Sequence, residues 1–446
     1  MGAPRLPRRL TPAVADPSIE AQAIRRVRRR LIPFLALMYF VAYVDRINVG
    51  FAALQMNAAI GLSSRIYGLG AGIFFLGYFL FEVPSNLVLA RVGARVWIAR
   101  IAIVWGAVSI AMVLARGPLS FMTLRFLLGA AEAGFFPGII YYFTYWFPAG
   151  ERARAVAQFS TASMAAGIVG APLSGLLLSL RGVGGLDGWQ WLFLVEGIPA
   201  VVLGLAALAY LTDTPEQARW LPDGERAALV EALRCECDRV SIEAGGTLRA
   251  GLLNAAVWKL AGVLFLIVTS GYGFSFFLPQ IVKSLSGSSD LGVGLLSALP
   301  FVAAAIGMVT VAAHSDRTGE RRWHVAASAW TAAAGLTASA LAGAPAVSFA
   351  ALCIAAVGMY SATPPFWPLP TAFLRGTGAA SGIALINAVG NLGGFAGPSI
   401  MGWMRDLSGS YAAGIGVLAT AAAMSGILVV SVRSARGLSG ASHADC

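Results

Sequence analysis

The stretch LIPFLALMYFVAYVDRINVGFAAL, residues 31–54, decides the class of fold. It is long enough to cross a bilayer as one helix, yet it carries two neighbouring charged residues, Asp45 and Arg46. A charged side chain at the centre of a bilayer costs about 2.5–3.5 kcal/mol on insertion scales, so it normally faces protein or a water-filled gap. The pair therefore predicts a polar pathway inside a membrane protein, lined by Asp45 and Arg46.

The composition of the whole chain agrees with many membrane crossings. Of its 446 residues, 58% are hydrophobic and only 12% are charged, which is more apolar than a soluble protein of this size needs. The predicted fold class is an all-α membrane protein with twelve transmembrane helices in two six-helix bundles. Apolar runs of about 20 residues place these helices near 31–54, 66–90, 96–115, 118–145, 153–180, 189–212, 255–282, 291–313, 323–343, 346–370, 376–404 and 411–432.

These helices divide the chain into five parts. They are a basic cytoplasmic N-terminal segment at 1–30, an N-terminal six-helix bundle at 31–212, a cytoplasmic linker at 213–254, a C-terminal six-helix bundle at 255–432 and a cytoplasmic tail at 433–446. Lys and Arg concentrate on the side that carries both termini, which predicts that this side is cytoplasmic and that the protein lies in the inner membrane. The net charge of +11 then belongs to that face and does not indicate nucleic-acid binding. About forty linker residues cannot bury a catalytic core, so no enzyme is expected.

Apolar residues alternate with arginines just before the first crossing, at Ile19, Ala23, Ile24, Val27 and Leu31. Two interpretations are open. The segment is either a surface helix on anionic headgroups or simply a topology signal.

The two predicted bundles resemble each other. Gly and Pro recur at short helical spacings in two of the predicted helices. They are Gly167, Gly170, Pro172 and Gly175 in the fifth helix, and Gly394, Gly397, Pro398 and Gly402 in the eleventh. Small residues at this spacing let helices approach closely, and the repeat favours two related bundles.

Short motifs carry a resemblance to a known family. The loop HSDRTGERRWH resembles the signature of the major facilitator superfamily, and NLVLARVGARVWIAR is similar to a copy that lacks the aspartate. The motifs YVDRIN, FEVPSNLVL, RFLLGAAEAGFFPG, WLFLVEGIPA, GYGFSFFLPQIVKS and PPFWPLPTAFL resemble the anion:cation symporter branch. That resemblance implies transport of sugar acids, tartrate or phthalate, usually by a monomer.

Four charged residues carry the predicted chemistry. Arg125 and Glu132 lie two helical turns apart and so project from nearly one face, whereas Asp45 and Arg46 point about 100° apart. We expect Arg46 and Arg125 to clamp a substrate carboxylate. Its negative charge favours the protonated forms of Asp45 and Glu132, so anion and proton should bind cooperatively. The resemblance implies the same proton-coupling roles; the alternative is a salt-bridge network that only holds helices one and four together.

Further substrate contacts are expected from hydrogen-bonding and aromatic side chains elsewhere in the helices. They are Tyr43, Tyr78, Gln158, Tyr272, Trp367 and Asn387, while Asn391 is expected to bond between helices. Glu82 and Glu196 are interpreted as helix-end or gating groups, with a role in proton movement as the alternative. Pro364, Pro365, Pro368 and Pro370 should bend helix ten, as a moving gate or as a static kink.

No cofactor or metal is expected, because the three histidines have no ligand spacing to Cys235 and Cys237. The driving force would be the proton gradient, and the partners would be a small organic anion, protons and the bilayer. The predicted function is a proton-coupled symporter that imports an organic carboxylate, with tartrate the first choice and sugar acids or aromatic acids open. The alternatives are an organic phosphate or anion exchanger without obligatory proton coupling, and a membrane enzyme or sensor, for which no motif is present.

Overall fold

The computed structural model describes residues 17–242, 254–371 and 376–432, and this part of the chain is helical without a strand. The helices are α1 Pro17–Ala59, α2 Ser64–Val92, α3 Ala94–Ala111, α4 Pro118–Glu132, α5 Phe135–Thr144, α6 Ala149–Leu178, α7 Gly188–Tyr210, α8 Asp223–Ile242, α9 Ala255–Ser286, α10 Asp290–Thr318, α11 Arg322–Leu341, α12 Pro345–Ser361, α13 Thr363–Phe366, α14 Pro368–Thr371, α15 Gly376–Asn391, α16 Gly393–Ser408 and α17 Tyr411–Val430.

The predicted fold class is confirmed. Eleven candidate spans in the described residues are long and apolar enough to cross a membrane. The remaining predicted crossing, the ninth, is α11. Its 20 residues are rich in Ala, Ser and Thr, which lowers its hydropathy, but it packs between α12 and α17 as a crossing helix would. The fourth crossing consists of α4 and α5, the tenth of α12 to α14, and the eleventh of α15 and α16.

The basic segment before the first crossing differs from expectation, because α1 begins at Pro17 and has no break near residue 30. Ala23, Val27 and Leu31 are fully buried inside the protein. They therefore do not rest on lipid headgroups as the surface-helix interpretation required. Residues 1–16 of that segment lie outside the described residues.

The linker helix α8 supplies part of this burial by packing on α1. Arg26 forms an ion pair with Glu225 at 3.0 Å, and Leu229 is fully buried. The Arg30 guanidinium lies 4.4 Å from the Tyr210 ring centre and 4.8 Å from that of Trp220, which is cation–π geometry. The described part of the linker is thus attached to the first bundle.

The fourth crossing breaks between Glu132 and Phe135. Gly134 has φ +87°, and a Cβ there would lie 2.4 Å from the Ser85 Oγ atom, so only glycine fits. The break makes Glu132 the last residue of α4. Its carboxyl group consequently projects from a helix end and not from the middle of a straight helix.

The prolines of the tenth crossing break it into α12, α13 and α14, as predicted. Pro364 and Pro365 lie in α13, and Pro368 and Pro370 in α14. Each proline lacks the backbone N–H that would donate a helical hydrogen bond. The chain therefore forms short helices of about one turn here.

The two bundles touch at the distal end, defined as the helix ends opposite Pro17. There α2 packs on α16, and α6 packs on α10. A Cβ on Gly402 would lie 2.1 Å from the Ser64 carbonyl oxygen, and one on Gly68 would lie 2.2 Å from that of Pro398. A Cβ on Gly175 would be 2.8 Å from the Asp290 carbonyl oxygen. Backbone therefore meets backbone across the interface.

Two carboxylates also accept hydrogen bonds across this interface. Asp406 of α16 accepts from the backbone N–H groups of Ser64 at 3.0 Å and Arg65 at 2.9 Å, and so caps the start of α2. The Gln55 Nε2 atom donates to Asp290 Oδ2 at 2.7 Å. In both contacts the charged group meets a neutral donor.

We expect Gly402→Leu to force α2 and α16 apart at the distal end, because the added side chain has no space beside Ser64. Overpacking of this kind costs about 1–3 kcal/mol. The expected result is faster labelling of a cysteine introduced at Ile66 by a membrane-impermeant maleimide. Gly416→Leu is the control, since a Cβ at Gly416 meets nothing within 4 Å. Equal labelling in both variants would contradict the tight contact.

Candidate functional site

The site is centred on an ion pair between Arg46 of α1 and Glu132 of α4. The Arg46 Nη2 group donates to Glu132 Oε1, and Nη1 donates to the Tyr272 hydroxyl of α9 at 3.2 Å. The Arg46 side chain is 12% exposed, whereas that of Glu132 is 1% exposed. All three residues lie roughly 20 Å below the distal helix ends, at 1.5 Å rise per residue. Arg46 thus joins both bundles near mid-depth.

Aromatic rings surround the Arg46 guanidinium. Its central carbon lies 5.4 Å from the Phe74 ring centre and 5.5 Å from that of Tyr78. Tyr43, one turn before Arg46, lies near Tyr360 of α12, and its ring centre is 6.1 Å from that of Tyr39. These rings stabilise the cation by cation–π attraction, and their hydroxyl groups offer hydrogen bonds to a ligand.

Arg125 lies behind Phe74 and does not reach the gap between the bundles in this structure. It is fully buried, its Nη2 group donates to the Ala71 carbonyl at 3.4 Å, and its guanidinium carbon is 5.0 Å from the Phe74 ring centre. The ring therefore separates two guanidinium groups. Arg125 interacts electrostatically with Asp45 and Glu132 and compensates their charge inside the first bundle.

Asp45 points away from Arg46, as the 100° step between neighbouring helical residues predicts. It has no exposed surface, and its Oδ1 atom accepts from Ser109 Oγ of α3 and from Asn48 Nδ2 at 3.3 Å. The expectation that Asp45 lines a water-filled gap is thus not met, because α3 covers it. The four charged residues form a cluster, but only Arg46 is partly open to the gap.

The other predicted substrate contacts fall into two groups. Tyr43, Tyr78 and Tyr272 belong to the cluster around Arg46. Gln158 is exposed on α6, and Trp367 packs on a separate apolar cluster, with its ring centre 5.5 Å from that of Phe366. The described contacts do not bring these two residues to Arg46.

Asn387 instead bonds to Glu82 across the two bundles. Its Nδ2 atom donates to Glu82 Oε1 at 3.1 Å, and the Asn391 side chain lies near the same carboxyl group. Glu82 was interpreted as a helix-end or gating group. It lies ten residues before the end of α2, so it is a contact between bundles and not a helix-end group.

Glu196 was interpreted as a helix-end or gating group, and it too does not lie at a helix end. It is the ninth residue of α7, is 4% exposed, and accepts from Ser174 Oγ of α6 at 2.9 Å. Helix packing encloses it inside the first bundle.

Several residues of the site were not predicted from the sequence: Tyr39, Asn48, Phe74, Ser109 and Tyr360. Tyr39, Tyr43 and Arg46 follow helical spacing on one face, which could have indicated Tyr39. The contact of Ser109 with Asp45 depends on how α3 packs, and the sequence carries no signal for it.

A cavity of about 810 Å³ lies apart from this cluster, at the distal end. Gln55, Lys283 and Asp290 contribute to its lining. Within residues 17–242, 254–371 and 376–432, no group of three metal-ligating side chains is found.

Comparisons with known proteins agree with this architecture. A family model described as Major Facilitator Superfamily matches residues 35–398. An Agrobacterium vitis protein described as "Putative tartrate transporter" is 48% identical over 94% of this chain and 92% of its own length. A Pseudomonas putida protein described as "Putative metabolite transport protein NicT" is 42% identical over 91% of this chain and 93% of its own length.

Two solved structures share the fold. A bacterial homologue of the human lysosomal transporter Spinster, inward-facing and occupied, gives a TM-score of 0.70 at 18% identity, covering 91% of this chain and 95% of that one. The Escherichia coli xylose transporter XylE, partially occluded and inward open, gives 0.68 at 12% identity, covering 93% and 99%.

Proposed function

We propose, since this chain belongs to the Major Facilitator Superfamily, that it imports a small organic carboxylate together with protons by alternating access. The chain is an integral, multi-pass membrane transporter and not an enzyme. The Arg46–Glu132 ion pair of the first bundle, whose guanidinium group also contacts Tyr272 of the second bundle, carries the proposal.

This ion pair supplies a simple means of coupling. A substrate carboxylate and the Glu132 carboxylate compete for the same guanidinium group, and Arg46 binds carboxylates best through two parallel hydrogen bonds. A proton on Glu132 ends its ionic attraction to Arg46 and frees the guanidinium for substrate. Substrate binding in turn retains the proton on Glu132, because the two bindings favour each other equally.

Asp45 and Arg125 contribute to the same coupling inside the first bundle. Asp45 is held by hydroxyl and amide donors and is compensated by the charge of Arg125. An incoming anion adds negative charge to this enclosed region, where electrostatic effects are stronger than in water. A proton on Asp45 would offset this added negative charge.

The proposed substrate class is small hydroxy acids, with tartrate first. Relatives named for tartrate cover almost the whole chain. The Arg46 guanidinium group has the Tyr272 hydroxyl at 3.2 Å and the Tyr78 ring beside it, and this setting suits an acid that carries both carboxylate and hydroxyl groups. The arginine distribution supports cytoplasmic termini in the inner membrane. Because the distal interface is closed in this conformation, an imported substrate would leave toward the proximal, cytoplasmic side.

The test is uptake of radiolabelled tartrate into proteoliposomes that contain the purified protein. We expect accumulation when the lumen is alkaline relative to the outside, and its loss when a protonophore is added. Exchange that ignores the pH gradient would favour the alternative, an anion exchanger. A panel of sugar acids and aromatic acids as competitors would identify the substrate class.

Tyr272→Phe should weaken substrate binding about tenfold or more, because hydrogen bonds to charged groups contribute about 1.5–3 kcal/mol. The lost hydroxyl holds Arg46 Nη1 from the second bundle. The measurement is the Kd of tartrate for detergent-solubilised protein. Tyr141→Phe, on an exposed face of α5, is the control and should bind as wild type does; an unchanged Kd for Tyr272→Phe would exclude this role.

A further inference from the structure

Glu196 is a buried carboxyl group that the Arg46–Glu132 exchange does not use. It lies on α7, and its Oε1 atom accepts from Ser174 Oγ at 2.9 Å. Its Oε2 atom is buried without a hydrogen-bond partner. A buried carboxylate is costly to maintain unless it is paired with a cation or fully hydrogen-bonded, so this group requires an explanation.

Asn48 connects Glu196 to Asp45. The Asn48 side chain is fully buried; its Nδ2 atom donates to Asp45 Oδ1 at 3.3 Å, and its carboxamide lies beside the Glu196 carboxyl group. Asp45 Oδ2, Asn48 Oδ1 and Glu196 Oε2 are all buried acceptors without a donor. The three side chains thus form a row with more acceptors than donors.

A proton is the ligand that fits this row. Protonation converts a carboxylate from an acceptor into a donor, which satisfies one neighbouring oxygen as well. The titratable group that faces Glu196 is Asp45 of α1. The Ser174 hydroxyl of α6 contacts Glu196, and the Ser109 hydroxyl of α3 contacts Asp45. Within the described contacts, no cation neutralises Glu196 directly.

The charges of the whole cluster support the same assignment. Asp45, Glu132 and Glu196 face only two buried or half-buried arginines, Arg46 and Arg125, so full ionisation leaves one excess negative charge. Glu82 also interacts electrostatically with Arg46, but it is less buried than these three carboxyl groups and has the Asn387 amide as a donor at 3.1 Å, so it is counted outside the cluster. A doubly charged acid such as tartrate would add two negative charges, and one proton on each carboxyl group would then make the loaded cluster neutral.

We propose that Glu196 is a third proton-binding site, which takes up a proton with Asp45 and Glu132 when the substrate binds. This inference rests on the proposed proton-coupled function. It assigns one transported proton to each of the three carboxyl groups, so that each cycle with a doubly charged acid moves net positive charge inward.

The experiment measures the protons and charge moved per tartrate in proteoliposomes. Opposing pH, substrate and valinomycin-set potassium gradients are adjusted until net tartrate flux is zero, which gives the stoichiometry. Wild type should carry three protons per tartrate, Glu196→Gln two, and the exposed-linker control Glu216→Gln three. Glu196→Asp, which keeps the carboxyl group, should carry three.

Each outcome is decisive. A wild-type count of two, or an unchanged count in Glu196→Gln, would overturn the inference while leaving proton symport intact, and the residue would then have a structural role only. A wild-type count of zero would overturn the proposed function itself. Even if Glu196→Gln does not fold, a wild-type count below three overturns the inference.

Discussion

Arg46→Ala should lose tartrate binding by roughly a hundredfold or more. Removing one partner of a buried ion pair costs about 3–5 kcal/mol because the other charge is left uncompensated, and here the lost guanidinium is also the partly exposed cation of the cluster. Glu132 would remain buried without its hydrogen-bonding partner, and the hydroxyl of Tyr272 would lose its contact across the bundles.

The measurement is the Kd of tartrate for purified protein, together with counterflow in proteoliposomes. Arg46→Lys keeps the charge but loses the paired geometry of the guanidinium, so it should recover only part of the affinity. Arg181→Ala, whose side chain is largely exposed, should bind normally. If Arg46→Ala retained wild-type affinity, the carboxylate would have to bind elsewhere, and Arg46 would serve only to hold the helices together.

Glu132→Gln should strongly lower accumulation while preserving counterflow. The neutral amide cannot form the ion pair, so Arg46 stays available to substrate whether or not a proton is present. Each proton coupled to transport contributes about tenfold accumulation per unit of pH gradient, which equals about 1.4 kcal/mol. Substrate inside the vesicles should therefore fall by at least this factor.

The control for this variant is Glu151→Gln, which removes a carboxylate of α6 that pairs with Arg28 away from the cluster. It should accumulate substrate as wild type does. Should Glu132→Gln still concentrate tartrate against its gradient as wild type does, the competition for Arg46 would not be the coupling step. Loss of both accumulation and counterflow would instead indicate failure of binding or movement.

Properties that depend on composition and helical spacing could be predicted from the sequence. Apolar length placed the twelve helices, and helical geometry predicted that Asp45 and Arg46 address different partners. The prolines after Ser361 predicted the broken tenth crossing. These features are local, so a single chain segment contains the necessary information.

Properties that depend on packing could not be predicted. Phe74 occupies the space between Arg46 and Arg125 because α2 and α4 approach closely at Gly129, where a Cβ would lie 1.9 Å from the Phe74 carbonyl oxygen. The burial of Glu196 similarly depends on how α7 packs against α1 and α6. Neither contact follows from the spacing of residues within one helix.

The glycine contacts at the distal end also determine which solution conditions should affect the closure of this end. Attraction between opposite charges weakens as salt concentration rises, but here carbonyl oxygens abut glycine Cα atoms, and the two crossing carboxylates meet neutral donors. Closure at this end should consequently be nearly indifferent to ionic strength. Bilayer thickness and lateral pressure act directly on the packing of the helices. They should therefore determine how readily the distal end opens and closes between transport cycles.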